Sequence, residues 1–590
     1  MSCQSLLSSV PERAAIRASK SLRLLEVTIA ALIVILFYGF NCSRNFENAY
    51  AEAKGIQSGD LQGLCEFRHL IYPWFAFWAR NALAHLNIWL SPLAALRLID
   101  YVSATAAILV LFAMLRRLKI SRVVAFAATF FFATCWSFWW FVGTGKSYSS
   151  SELFIIGAYC VALSLNETSD SRSLVLRTTG AAMLAVLSNL FWLQQAFNCI
   201  GVGLLVALRP ERLSWKRRAG YLGLYALTGL IVTLAIALSA FRYSGIVHST
   251  HDLGPWISSS GTPPLEFSSR TLMAASLGHA SAIIYLDGLQ YMVNGLVRGD
   301  ARLLQIGFLP WQLGKYIFAW LLLAAIYLYP LLAFSRAFRQ KRVVLLSFGV
   351  ALLPNLAFAL LWLGEAPARF LPSLLSLVVF GAMALEDALG RLRLRRYLAA
   401  SVGIGLLLIA AVNLVEGIHP MQIYYSALTQ RMEKADGKGG PKDLVLTFGR
   451  DFTETYHMML RYYFGPGSCQ SLTNDGFTYN WDRADWQQEL VRMARERTEG
   501  GGHVFIDERL ARGLNPVSAA WSEVQHPRPT IREVSEFFRS NFCLEPAWHI
   551  GSAKYWRLDA PSAHCSSPLA ASRQEKGRKT LPVSQTLRER

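Results

Sequence analysis

Glu47 and Glu152 are carboxylates placed where they could do chemistry, each just beyond the end of a long apolar segment. Counting the segments puts both on one side of a membrane. Lys146 and the turn that carries Glu365 and Arg369 fall on that same side, as does the His248–Asp252 stretch. A carboxylate can take a proton from an attacking hydroxyl, and Arg or Lys can stabilise the charge on a departing phosphate. Transfer of a sugar from a lipid phosphate needs both. The bland alternative for any one of these residues is a solvated loop side chain.

The elements that must position them follow from composition. The chain has 590 residues, 53% hydrophobic and 16% charged, with mean hydropathy +0.31. Soluble domains carry about 25% charged residues. The apolar excess lies in long runs, so the fold class expected is a polytopic α-helical membrane protein. Spans are expected at about 24–40, 93–115, 123–142, 153–165, 179–193, 196–208, 221–240, 315–334, 343–363, 370–389 and 397–415, about 11 in all. The net charge of +19 does not point to nucleic acid, because no base-reading motif accompanies it and the basic residues flank the spans. The basic turns 116–122, 209–218, 336–342 and 391–396 and the N-terminal segment 1–23 share one side. The positive-inside rule makes that side cytoplasmic. The long loops 41–92 and 241–314 then face outward, together with a region at 417–560. The run at 24–40 lacks a small-residue cleavage site and reads as an uncleaved span.

The loop 41–92 is long for a connection and rich in ionisable groups, among them Glu47, Asp60 and His69. Its second half, 69–90, is aromatic but broken by Arg80, Asn81 and His85, which suits a helix lying in the membrane interface. The region 417–560 has soluble composition, with strands expected at 442–448 and 503–508, helices at 485–502 and 530–542, and a closing strand pair at 548–559. That is a small α/β domain. The tail 561–590 is basic, polar and expected to be disordered.

Other motifs carry less. Gly143–Ser147 (GTGKS) resembles a phosphate-binding loop, but Trp140 stands where its first glycine belongs and a membrane span precedes it. His248, His251 and Asp252 have no further metal ligand at a recognisable spacing, so a divalent metal stays a possibility without a defined site. Asn189, Gln194, Gln195 and Asn198 could line a polar cavity or bond helices together. The run Trp136–Phe141 could stack on a sugar or prenyl chain, with an interface belt as the default. Asn41 matches a glycosylation sequon only formally, lying too near the membrane to carry weight. Of nine cysteines, Cys42 and Cys65 share the first loop and Cys469 and Cys543 the last domain, and either pair could close a disulfide in an oxidising compartment.

The stretch FENAYAEAKGIQSGD followed by HLIYPWF resembles the first outer loop of the GT-C superfamily of membrane glycosyltransferases, which includes protein mannosyltransferases and aminoarabinose transferases. By that resemblance Glu47 takes the place of the catalytic acid, where the family usually has Asp, and Asp60 is the fallback. Tyr50 and His69 fit the trailing pattern, and Glu152 matches the second loop carboxylate. EAPARFLPSLLSL, from Glu365, resembles the late span start and puts Arg369 near the lipid phosphate, with Lys146 as a second contact. The resemblance implies an integral protein of a bacterial inner membrane with its N-terminus cytoplasmic. It also implies a polyprenyl-phosphate sugar donor, an outer glycan, lipid or protein acceptor, and inversion at the sugar. No organic cofactor is implied. The rivals are a transporter or lipid flippase and a non-catalytic assembly partner. Transporters keep ionisable groups near the midplane and paired halves. Here span centres are nearly free of charge, Asp100 being an acidic exception, and no internal repeat is evident.

Overall fold

Apolar helices dominate the computed structural model, which describes residues 32–37, 39–40, 47–59, 70–167, 170–210, 213–243, 269–286, 310–334, 339–361, 367–391, 395–423, 442–447, 469–471, 486–513, 531–550 and 553–559. The chain divides into two units, Met1–Tyr425 and Ser426–Arg590.

The first unit opens with α1 (Glu47–Ser58) and α2 (Tyr72–His85). The latter lies within the stretch expected to form an interface helix. Its Tyr72, Pro73 and Ala76 are buried, whereas Phe75 and Trp78 are exposed. Ser91 then caps α3 (Pro92–Arg117), its side chain accepting from the Ala94 amide at 3.2 Å, with Pro92 at the first helical position. The helices that follow are α4 (Arg122–Thr134), α5 (Trp136–Trp139), α6 (Tyr148–Leu163), α7 (Ser171–Phe191), α8 (Ala196–Leu208) and α9 (Trp215–Tyr243). After them come α10 (Ser269–Ile283), α11 (Pro310–Phe334), α12 (Arg339–Leu361), α13 (Leu371–Arg391) and α14 (Arg395–Val412), the last continuing as a π-turn over Asn413–Ile418.

Eight of these helices are long and apolar enough to cross a membrane: α3, α6, α7, α9 and α11 to α14. At the expected third and sixth spans, α4 and α8 have 13 residues each. That is about 20 Å at 1.5 Å per residue, short of the roughly 30 Å hydrocarbon core. The expected first span is described only at 32–37 and 39–40.

The third span also differs from its expected form. The stretch 123–142 is broken at Cys135, which is extended at φ −56 and ψ 136. The break has a visible partner: the Thr134 carbonyl accepts from Asn413 Nδ2 at 2.7 Å instead of continuing the helix. Trp136, Phe138 and Trp139 consequently turn inward and are buried, so they do not form an interface belt.

The helices sort into a core and a periphery. The most enclosed spans are 148–166 and 367–390, whose apolar windows are 72% and 78% buried; 215–240 and 396–423 are only 6% and 11% buried. Residues of α6 pack against α3, α7 and α8, and α8 lies along α12. The tightest approach is at Gly201, where an added Cβ would sit 2.2 Å from Tyr159 Oη and 2.7 Å from the Ser347 carbonyl. Tyr159 in turn stacks on Phe348 at 4.3 Å and donates to the Asn198 carbonyl at 3.2 Å.

The basic turns meet at one end of this bundle. Glu386 Oε2 accepts from the Ser121 amide at 2.9 Å and from its hydroxyl at 2.7 Å, capping the start of α4. Asp387 takes Lys341 Nζ at 2.5 Å and Tyr329 Oη at 2.9 Å. Arg117 reaches the Cys160 carbonyl at the far end of α6.

The second unit contains a five-stranded sheet ordered β2-β1-β3-β5-β4, built from β1 (Leu444–Thr447), β2 (Cys469–Ser471), β3 (Val504–Asp507), β4 (Cys543–Ile550) and β5 (Ala553–Asp559). Pairs β1–β2 and β1–β3 are parallel; β3–β5 and β4–β5 are antiparallel. Leu490, Val534 and Phe538, from helices Trp486–Glu499 and Ile531–Asn541, join its apolar core. Cys543 is disulfide-bonded. Its considered partner Cys469 lies on the opposite edge strand, four strand spacings of about 4.8 Å away. Disulfides need Cα atoms within about 7 Å, so that pairing is corrected. Cys42, Cys65, the sequon at Asn41 and the tail after 560 lie outside the described residues.

Gly201→Val should lower the thermal unfolding midpoint of the detergent-solubilised protein, since overpacking of this kind costs about 1–3 kcal/mol. An unchanged midpoint would contradict the close approach of α6, α8 and α12.

Candidate functional site

The end of the bundle away from the basic turns holds the polar groups. Its organiser is Asp100, fully buried in α3. Its Oδ2 accepts from the backbone amides of Gly143, Thr144 and Gly145 at 2.9, 3.1 and 3.3 Å. Gly143 and Gly145 have φ of +79 and +76, the left-handed region open to glycine, which turns successive amides toward one point. Arg97 Nε holds the Gly143 carbonyl at 3.1 Å. Tyr101 blocks any larger residue at 143, where a Cβ would lie 2.3 Å from its hydroxyl. The phosphate-loop-like GTGKS segment is therefore an amide nest filled by the chain's own carboxylate. It delivers Lys146, 7% exposed, at the entry to α6.

The helix bearing Glu47 packs on this turn. A Cβ at Gly145 would stand 3.1 Å from Ala49 Cβ, so α1 crosses beside Lys146. Glu52 of α1 is buried as well. Burial, and then Asp100 and Glu52 nearby, push the Tyr72 phenol well above its ordinary value. It is a neutral donor, bonded to the Leu96 carbonyl at 3.3 Å.

Glu152 lies in the second turn of α6, fully buried. Its Oε1 accepts from Gln195 Nε2 at 2.5 Å, while Oε2 has no hydrogen-bond partner among the described residues. Gln195 closes a short 3-10 turn, Leu193–Gln195, between α7 and α8. Its neighbour Gln194 donates to the Arg369 carbonyl at 2.7 Å. Arg369 sits half-buried in another 3-10 turn, Pro367–Phe370, at the head of α13. Thus Glu152 and Arg369, far apart in sequence, are joined through adjacent glutamines. Behind Arg369, Phe370 stacks on His279 at 4.3 Å, and His279 Nε2 bonds Tyr327 Oη at 3.0 Å. An aromatic row, Trp136, Trp140, Phe141, Tyr148 and Trp192, leads to the glutamine turn with ring centroids 5.3, 5.1, 4.7 and 4.5 Å apart.

The structure therefore joins Glu152 and the Arg369 turn through the glutamines, and Lys146 lies at the entry to the helix that carries Glu152. Glu47 and Tyr50 lie on α1, with only their backbone described; Asp60, His69 and Glu365 lie outside the described residues, as do His248, His251 and Asp252. Asn189, Gln194, Gln195 and Asn198 had been open between cavity and packing, and the last three hold other elements by hydrogen bonds. Sequence reasoning missed Asp100 as the anchor of the nest. The available signal was a carboxylate within a span and two glycines in a later turn. It also missed His279, which no motif marks. Among the described residues no group of three or more His, Cys, Asp or Glu side chains is gathered as a metal site requires.

No family model matches the chain, and no curated protein matches it. Solved structures do. ArnT from Cupriavidus metallidurans bound to undecaprenyl phosphate is 11% identical, over 92% of this chain and 99% of that one, with a TM-score of 0.51. The same protein in the apo state gives 13% identity, 92% and 100% coverage and a TM-score of 0.48. An oligosaccharyltransferase from Archaeoglobus fulgidus, in complex with Zn and sulfate, gives 14%, 90%, 72% and 0.46. The fold argument rests on the first of these, which spans nearly the whole of both chains. This chain shares its fold with that ArnT structure.

Proposed function

We propose that this chain is a membrane glycosyltransferase that moves a sugar from a polyprenyl-phosphate donor to an extracytoplasmic acceptor. The observation that carries the reading is the likeness of fold along the chain to ArnT, whose structure holds undecaprenyl phosphate. The grouping of Lys146, Glu152 and Arg369 at the end of the bundle away from the basic turns supports it. In this reading the site lies at the outer face of a bacterial inner membrane, with the N-terminus cytoplasmic.

The reaction is a single displacement. An acceptor hydroxyl attacks the anomeric carbon while Glu47 takes its proton. The carbon–oxygen bond to phosphate breaks, and the polyprenyl phosphate leaves with the electron pair, on the opposite face of the sugar. Inversion follows. Arg369 and Lys146 offset the charge gathering on the phosphate. Glu152, with Oε1 held by Gln195, presents Oε2 as a supporting carboxylate. Tyr50, His69, Asp60 and Glu365 are further candidates for contacts around the donor. A divalent metal has no donor set among the described residues, and no step is routed through one. The acceptor is a glycan, a lipid or a protein.

Turnover in nanodiscs, with a panel of polyprenyl-phosphate sugars and acceptors, tests this. Glu47→Gln should lower it by about 10²–10⁴, the usual contribution of a general base. Unaffected turnover would move the base to Asp60 or Glu152. Solute or lipid movement without sugar transfer would favour a transporter.

Arg369→Ala should raise the donor KM by roughly tenfold or more, as loss of a charge-assisted contact implies. An unchanged KM would remove Arg369 from the phosphate.

Asp100→Leu leaves the amides of Gly143, Thr144 and Gly145 without their acceptor and should cost several kcal/mol, at about 1–3 per unsatisfied group. Weakened donor binding should accompany the loss, because the nest sets Lys146. Wild-type stability in this variant would refute the nest.

A further inference from the structure

Three amide side chains tie the carboxylate of the site to its arginine. Gln195 is fully buried, and each end of its amide is used. Nε2 donates to Glu152 Oε1 at 2.5 Å, and Oε1 accepts from Asn198 Nδ2 at 2.6 Å. Asn198, equally buried, also donates to the Pro372 carbonyl at 3.0 Å. Gln194 grips the Arg369 carbonyl at 2.7 Å. The carbonyls of Arg369 and Pro372 are thus held from the short turn and the first turn of α8 that follows it, and the short turn also holds Glu152.

This is more than helix packing requires. Bonds joining α8 to α13 would suffice for packing, yet the chain of bonds runs on to an ionisable group whose other oxygen has no partner among the described residues. A glutamine amide suits the task. It donates to a carboxylate while its own oxygen is anchored, so it cannot rotate away without breaking both bonds.

We infer that Gln195 is a positioning residue that couples Glu152 to the Arg369 turn, so that lipid phosphate bound at Arg369 and the carboxylate beside the reacting carbon are set as one unit. The inference deepens the proposed function and rests on it for the identity of the ligand. Gln195 itself touches neither the sugar nor the phosphate. Its bond fixes which Glu152 oxygen faces the substrate, and the backbone behind it fixes the origin of the Arg369 side chain. Site geometry of this kind matters steeply, since a misplacement of about 1 Å can cost on the order of 10²-fold in rate.

The test uses the full chain in nanodiscs with undecaprenyl phosphate as the probe. Gln195→Met, which keeps length and loses both hydrogen bonds, should raise Kd about tenfold, or roughly 1.4 kcal/mol. Gln195→Leu serves if the methionine variant melts early. Glu152→Leu should weaken binding similarly. Glu152→Gln, whose amide oxygen can accept the same bond, should keep the affinity while losing turnover, a split that simple space-filling would not produce. Lipid binding that is unchanged in both folded Gln195 variants, or equal in Glu152→Leu and Glu152→Gln, overturns the coupling. A second readout needs no lipid. Amide exchange over 368–371 should quicken by about tenfold in Gln195→Met, as local opening becomes easier; unchanged exchange overturns the coupling on its own. If Arg369→Ala binds the lipid like wild type, the phosphate reading fails instead, and the exchange result alone judges the coupling.

Discussion

A single buried carboxylate, Asp100, decides how one end of the bundle is built. A charge inside a span is costly unless its oxygens are satisfied. Oδ2 of Asp100 takes three successive amides of the turn after α5. Those amides could not face one point without left-handed glycines at 143 and 145. The carboxylate and the turn therefore depend on each other: either alone leaves polar groups stranded in a low-dielectric interior. With the turn fixed, Lys146 and the start of α6 are fixed, and α6 carries Glu152. Ala49 of α1 then rests against Gly145, so the helix that bears Glu47 is registered against the same turn. The placement of three candidate site residues is traceable to one side chain on the neighbouring helix.

The two ends of the bundle solve different problems with the same groups. At the basic end, Glu386 and Asp387 are spent on a helix cap and a lysine, and the outcome is closure of a loop. At the other end, acceptors and donors join 3-10 turns that interrupt the helices, at Leu193–Gln195 and Pro367–Phe370. Short turns of this kind expose carbonyls that a continuous helix would use itself. Gln194 binds a carbonyl of that sort, that of Arg369. Irregular backbone at membrane depth is tolerated where it is buried in protein or lines a cavity, and here the interruptions coincide with the ionisable residues.

Much of the fold was legible because apolar length is a robust signal. Segments from 93 onward became helices near their expected places, and the alternation of basic turns matches the end at which Ser121, Lys341, Glu386 and Asp387 meet. The break at Cys135 was not legible, because its cause is Asn413, far along the chain, and hydropathy does not record which carbonyl a distant amide will take. The same reason hid the inward turn of Trp136 and Trp139. Among the candidate residues, Lys146, Glu152 and Arg369 could be picked out as charges beside spans. Their supports could not, since Gln194, Gln195 and His279 are ordinary residue types whose meaning comes from partners in other helices. The cysteines of the last domain illustrate the limit: Cys469 and Cys543 look like possible partners until strand order puts them on opposite edges.

The peripheral helices show what polar contacts are for in such a bundle. Lipid is as apolar as leucine, so helices gain no hydrophobic advantage from meeting one another. Core helices compensate by close packing, as at Gly201, where backbones come near enough for dispersion to act over a broad face. The span 310–334 is only 17% buried and 396–423 only 11%, so that route is closed to them. They are held by directional bonds instead. Lys315 of α11, 3% exposed, pairs with Glu416 at 2.7 Å, and Trp311 donates to the same carboxylate at 2.9 Å. Glu416 lies in the π-turn Asn413–Ile418, which also presents Asn413 to the Thr134 and Ile283 carbonyls at 2.7 and 2.9 Å. An extra residue in a helical turn shifts the side chains that follow it, and this turn aims one polar group at α11 and another at the break below α5. The clasp thus joins a lightly packed helix, the last helix of the membrane unit and the aromatic row that leads to the glutamine turn. Polar residues at this end serve the scaffold as well as the candidate site, and Glu152 differs from Glu416 in keeping an oxygen that no described residue satisfies.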